Sequence, residues 1–162
     1  MFLLEEELAA LDAAEPRDAW LLIRPAADCA DPTWPERLVS MYRDWAHLRG
    51  MTITDESPSG DAHLLDVSGF AAFRLLRRET GLHVWEAPRD DRGGARPGTV
   101  RNAALVVCTP QTERPPDNGT AAPRVITRRY RDQPSPLVRD VARGWRTGRL
   151  ATVLAGNFDL IA

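Results

Sequence analysis

The sequence predicts an α+β fold: a mixed, mostly antiparallel sheet with one main packed helix and a C-terminal helical segment. Three observations point there. Short apolar runs recur between turns rich in Ser, Pro and Gly, which is the pattern of a multi-stranded sheet. One longer stretch has apolar residues at helical spacing, as a helix packed on that sheet would. The chain has 162 residues, enough for one core but hardly for two.

The elements follow in order. Residues 2–14 place Leu4, Leu8 and Leu11 on one helical face, and Pro16 ends the pattern, so residues 1–16 read as a short N-terminal helix. Residues 17–162 read as a single core domain. Residues 19–24 (AWLLIR) are a compact apolar run suited to a buried strand. Thr33 followed by Glu36 has the form of a capping box. Behind it Leu38, Met41, Tyr42, Trp45 and Leu48 share one helical face, and Gly50 suits the position after the last turn. Strands are expected at 51–54, 62–67, 70–76, 82–86, 100–108 and 124–130. Ser135 and Pro136 read as N-cap and first residue of a second helix through about residue 143. Between the last two strands, residues 111–123 (QTERPPDNGTAAP) are Pro-rich and polar, the signature of a flexible loop.

Composition excludes several classes. The chain is 43% hydrophobic and 27% charged, ordinary for a soluble protein, and no apolar run approaches membrane-spanning length. An acidic N-terminal stretch, MFLLEEELAALDAAE, is unlike a signal peptide, so a cytoplasmic location is expected. Cys29 and Cys108 lack partner motifs, which argues against a disulfide framework and a zinc site. All 21 basic residues are Arg. They are unevenly placed: residues 1–69 carry a net −9 and residues 70–162 a net +7. That asymmetry suits a polyanion meeting one part of the surface, or a set of solvated strand edges.

Four collinear motifs resemble bacterial class I peptide chain release factors. Residues 138–159 (VRDVARGWRTGRLATVLAGNFD) align without a gap to a closing pattern V-K-D-x-R-T-G-x-x-T-G-N-x-x-x-V-L-D-G-D-L-D. Residues 20–27 (WLLIRPAA) are similar to the family's L-E-I-R-A-G-x-G strand. Residues 38–50 (LVSMYRDWAHLRG) are similar to its L-x-x-M-Y-x-x-Y-A-x-x-x-G helix. Residues 78–83 (RETGLH) match the E-S-G-V-H that precedes the codon-reading loop. The resemblance covers roughly residues 20–110 and 124 onward. It implies the module that enters the ribosomal decoding centre, with the family's N-terminal helical domain reduced to residues 2–14. Where the family carries its Gly-Gly-Gln domain for peptidyl-tRNA hydrolysis, this chain has only residues 111–123.

The codon-reading loop departs from the family. Residues 87–99 (APRDDRGGARPGT) contain neither P-x-T nor S-P-F, though Pro88 matches the proline of the tripeptide. Pro97 falls where the family's stacking His stands, and Val84 replaces the Arg that follows its His. Base reading by stacking and hydrogen bonding is therefore expected to be lost. Arg89, Arg92, Arg96 and Arg101 are the candidate nucleic-acid contacts, made to phosphate and not to bases; the alternative is a solvated hairpin. The five tryptophans read as core and rim, His47 as surface and His83 as structural. No His or Cys pair has metal-ligand spacing, no phosphate loop or nucleophile elbow occurs, and neither a metal nor a cofactor is expected.

The expected function is that of a non-catalytic release-factor-like protein. It would be ribosome-associated through a degenerate decoding-centre domain, without stop-codon reading or peptidyl-tRNA hydrolysis. The alternative is a release-factor fold redeployed as a protein-interaction or accessory module with no RNA binding. Neither reading calls for a membrane or a small-molecule cofactor.

Overall fold

The structure, a computed structural model, describes residues 2–27, 29–56, 60–88, 99–116 and 124–160. Among these residues four α-helices and eight strands follow one another as α1 (Phe2–Asp12), β1 (Ala19–Pro25), α2 (Thr33–Leu48), β2 (Thr52–Glu56), β3 (His63–Ser68), α3 (Ala72–Leu76), β4 (Gly81–Pro88), β5 (Thr99–Pro110), β6 (Ile126–Arg131), β7 (Leu137–Asp140), β8 (Arg146–Thr147) and α4 (Leu150–Leu154). All eight strands form one sheet in the order β2-β3-β1-β5-β4-β6-β7-β8. Every pairing is antiparallel except β4 with β6. The expected α+β class, mixed sheet and single main helix are what the structure has.

Helix α2 forms the core with one face of this sheet. Trp34, Leu38, Met41, Tyr42, Trp45 and Ala46 are fully buried against Leu21, Ile23, Leu65, Ala104, Val106 and Tyr130. The C-terminal tail closes the same core: Phe158 stacks on Trp45 at 5.8 Å and meets Tyr42 edge-on at 5.6 Å. Gly50 ends α2 as expected. At φ +66 it donates to His47 O at 3.1 Å, while Met51 N donates to Ala46 O at 2.8 Å, the paired bonds of a Schellman stop. At the other end the Thr33–Glu36 capping box does not form. Asp31 takes its place, accepting from the Thr33 backbone N–H at 2.9 Å and the Thr33 hydroxyl at 2.6 Å. One Asp31 oxygen accepts both bonds, and the Thr33 hydroxyl is used as a donor and not as the cap.

Three expectations from periodicity change in the fold. In place of the strand expected at residues 70–76, Ala72–Leu76 is helix α3. The run FAAFRLL fits both periods, and burial of Ala72, Leu75 and Leu76 at helical spacing decides it. The helix expected from Ser135 to residue 143 is instead β7, followed by a turn and β8. Val138 and Asp140 point inward while Leu137 and Arg139 do not, a two-residue alternation that pairing with β6 rewards. The C-terminal helical segment lies further on, at α4. Finally, α1 is inside out. Leu4, Leu8 and Leu11 are 62%, 54% and 66% exposed. Its inner face carries Glu7, which accepts from Ala71 N, and Glu6, which pairs with Arg74 at 2.8 Å. Polar bonds to α3 turn the leucines outward.

The stretch after β5 begins with anchored residues. Trp20 Nε1 donates to Gln111 O at 2.8 Å, and the Gln111 side chain donates to Asp66 at 3.0 Å. Pro115 is buried. Residues 117–123, the rest of the loop expected at 111–123, lie outside the described residues.

Candidate nucleic-acid interface

The β4–β5 hairpin positions the arginines singled out in the sequence. Its arms pair from Gly81↔Val106 to Pro88↔Thr99. Arg89, Arg92 and Arg96, in the sequence between its two arms, lie outside the described residues. Arg101 stands opposite Glu86, with Nε 3.9 Å from its carboxylate and the side chain 63% exposed. Glu86 is held more closely by Arg129, at 2.9 Å, so the guanidinium of Arg101 remains open to solvent. Of the four, Arg101 alone lies within the described residues, on the β5 arm.

Beneath the hairpin lies a set of functional-looking residues that the sequence did not mark. Arg128 on β6, Glu79 before β4, and Asp140 on β7 are fully or almost fully buried, and Arg143 caps them. Arg128 reaches Asp140 through Nε at 2.9 Å and Nη2 at 2.7 Å, and Glu79 through Nη2 at 2.8 Å. Arg143 donates to both carboxylates, and its backbone N–H reaches Asp140 Oδ1 at 2.6 Å. Tyr42 O–H completes Glu79 at 3.0 Å. Two guanidinia face two carboxylates, so the cluster is neutral overall.

Burial pushes the Glu79 carboxyl up, but the charges of Arg128 and Arg143 outweigh it and hold it at about 2. His83 sits beside it. Its Nε2 is 2.9 Å from Glu79 O and its Nδ1 is 3.0 Å from Tyr130 Oη. A carbonyl only accepts, so Nε2 carries the proton and Nδ1 accepts from the Tyr130 hydroxyl. Burial, only partly offset by the charge of Glu79, pushes this imidazole down to about 4, and it is neutral at pH 7. A permanently ionised, fully bonded carboxylate and a permanently neutral imidazole are poor proton-transfer groups near neutrality. The cluster braces β4, β6 and β7 from inside.

The tryptophans divide as core and rim. Trp34 and Trp45 are fully buried, while Trp20, Trp85 and Trp145 are half-buried. Trp85 meets Trp34 at 5.3 Å and is covered by the Arg37 guanidinium at 4.1 Å, so its face is already taken. His47 is exposed and His83 buried, as expected. Among the described residues no group of His, Cys, Asp or Glu is arranged to hold a metal ion, and no helix is long and apolar enough to cross a membrane.

The motifs that carry the family resemblance occupy this interior. Glu79 and His83 come from the segment before the hairpin, Asp140 from the tail. Gly156, at φ +89, lies so close to α2 that a Cβ would stand 2.4 Å from Trp45 N. Asp159 accepts from Trp45 Nε1 at 2.8 Å and from Arg49 Nε at 3.0 Å.

No family model matches the chain. A curated relative, peptide chain release factor 2 of Variovorax paradoxus (strain S110), is 34% identical over 90 residues, covering 50% of this chain and 24% of the relative. The chain therefore spans about a quarter of that relative's length. RF2 of Thermus thermophilus shares the fold with a TM-score of 0.67 at 17% identity, over 90% of this chain and 66% of that one. With the mixed sheet, the single packed helix and the interior motifs in place, the chain has the fold of that release factor and resembles the matched part of the curated one.

Proposed function

We propose that this chain engages the ribosome at the decoding centre through its β4–β5 hairpin, in the cytoplasm, without reading the stop codon and without hydrolysing peptidyl-tRNA. The observation that carries the reading is the hairpin itself. Its arms are regular up to Pro88↔Thr99, and the segment they present carries Arg89, Arg92, Arg96 and Arg101 but no aromatic residue or His. Without the aromatic plane and ring donor of the family's His, these guanidinia are read as phosphate contacts, which position a nucleic acid without specifying its sequence. No Gly-Gly-Gln occurs in the 162 residues, which supports a non-enzymatic role needing no cofactor. The likeness to proteins named release factor 2 favours the ribosome as the partner class.

A second reading has its own support. Because Glu79, His83, Asp140, Gly156 and Asp159 all serve the interior, folding alone accounts for their resemblance to release factors, and an accessory module that binds protein and not RNA would keep them too. Pelleting with ribosomes separates the two. On the first reading the chain cosediments with ribosomes whether a stop or a sense codon fills the A site. Binding weakens with salt, and Arg89, Arg92 and Arg96 changed together to Ala lower the logarithmic slope by roughly 0.7–0.9 per lost contact. Absence of pelleting even at low salt overturns it in favour of the accessory module.

A further inference from the structure

Arg129, Arg139 and Arg146 stand directly opposite one another on β6, β7 and β8. Their neighbours Arg128, Tyr130, Val138 and Asp140 are buried in the core, so strand alternation puts the three arginines on the face of the sheet away from α2. Strands lie roughly 4.7–4.9 Å apart, so the row covers about 10 Å. Like charges directly opposite in a sheet destabilise it. Arg129 is relieved by Glu86 at 2.9 Å. Arg139 and Arg146 are exposed and have no acidic partner among the described residues. A shallow cavity of about 430 Å³ opens beside them, lined by Leu137, Arg139, Val141, Gly144, Trp145 and Arg146 and by Asp140, whose carboxylate is already bonded to Arg128 and Arg143. In the next row stand Arg101, Glu86 and Arg131, so Glu86 is the lone acid in the two rows.

We infer that this outer face of β6–β8 binds the phosphodiester backbone of a nucleic acid, as a site separate from residues 89–98. An anion lodged between Arg139 and Arg146 turns their repulsion into a bridge. Guanidinium forks match phosphate oxygens two at a time. A nucleic-acid strand offers a charge about every 3.4 Å along its axis, so consecutive phosphates can satisfy the whole row at once. A sheet surface that presents guanidinia alone contacts the backbone and leaves the bases unread. The site stands on the strand register and needs no contact by residues 89–98.

The test is fluorescence anisotropy of the full chain with labelled oligouridine and oligothymidine of equal length, from about 50 to about 200 mM salt. Arg139→Gln with Arg146→Gln should weaken binding at least about tenfold and lower the logarithmic salt slope by roughly 1.4–1.8, two contacts' worth on a single strand or more. Melting should stay level or rise, since the like-charge opposition is gone. Arg139→Lys with Arg146→Lys should restore the slope, because charge is what phosphate neutralisation requires. Equal affinity for the two oligonucleotides supports a site that sees only phosphate, and preference for oligouridine supports it with RNA as the ligand. Unchanged binding by the Gln pair overturns the inference, as does displacement by polyglutamate at equal charge concentration, which would mark an acidic protein as the occupant. The hairpin triple variant keeps the two proposals apart: loss there with the Gln pair unaffected would sink this one and leave the hairpin reading standing.

Discussion

Acid should destabilise this domain over two successive pH intervals, and His83 sets the first. Its imidazole is fully buried and pushed from an ordinary 6.5 down to about 4. Between those values the unfolded chain takes up a proton that the folded chain refuses. The stability His83 provides is therefore complete above about pH 6.5 and is lost as pH falls toward about 4. The gap is worth about 3 kcal/mol, delivered at up to about 1.4 kcal/mol per pH unit. Glu79 acts lower down: its carboxyl is also depressed, from 4.5 to about 2, so its contribution survives until about pH 4.5 and disappears below. His83→Gln removes the first contribution and leaves the second. The variant should be less stable at pH 7, having lost the bonds to Glu79 O and Tyr130. Its stability should nevertheless fall less steeply than the parent's between about pH 6.5 and about pH 4.5. Urea unfolding at half-unit pH steps gives both curves, and the interval stays above about pH 4.5 because the Glu79 carboxyl, which His83 also helps to hold down, titrates below it. Parallel curves across that interval would refute a buried neutral His83.

Two further outcomes follow from the interior. Arg128→Met leaves Glu79 and Asp140 buried with Arg143 as their only remaining cation among the described residues, which should cost about 3–5 kcal/mol in chemical denaturation; a loss below about 1 kcal/mol would mean that water already reaches the cluster. Gly156→Ala must place a Cβ 2.4 Å from Trp45 N in a left-handed backbone and should lose more than about 2 kcal/mol, so an unchanged melting temperature would show that the tail does not seat on α2 as described.

What is legible in the sequence is what local pattern carries. The stripe of α2 and its stop at Gly50 are readable because both ends of each interaction lie within a few turns. The positions of most strands along the chain are readable from short apolar runs between turns, but their order in the sheet is not. Two runs mislead because their periodicity is ambiguous or their neighbours decide: residues 70–76 fit helix and strand alike, and residues 135–143 begin with helix-start chemistry that pairing to β6 overrides. The leucines of α1 have the spacing of a buried face, but acidic residues between them bond to α3 and reverse it. The buried ionic cluster needs contacts 49 residues apart between Glu79 and Arg128, which no local pattern encodes. One signal is present. In ITRRYR the residue two before Tyr130 is Arg128, a charge on the inward phase of a strand, and an inward charge needs a buried partner.

That location bears on how far the resemblance to release factors can be carried. Each motif residue traced in the structure serves the interior. Glu79 and Asp140 neutralise Arg128, His83 links Glu79 to Tyr130, and Gly156 and Asp159 seat the tail on α2. Roles of this kind persist as long as the fold does, whatever the surface contacts. The surface has a different history written on it. The segment between the hairpin arms keeps charge but no aromatic residue, and two arginines face each other across β7 and β8 at a cost to the sheet. A feature that opposes folding is better evidence about a ligand than one that serves it, because folding supplies no reason to keep it. Of the two basic surfaces, the arginine row therefore gives the more discriminating experiment. Relieving it should leave the domain at least as stable while weakening its grip on phosphate, a pairing of effects that a purely structural residue does not produce.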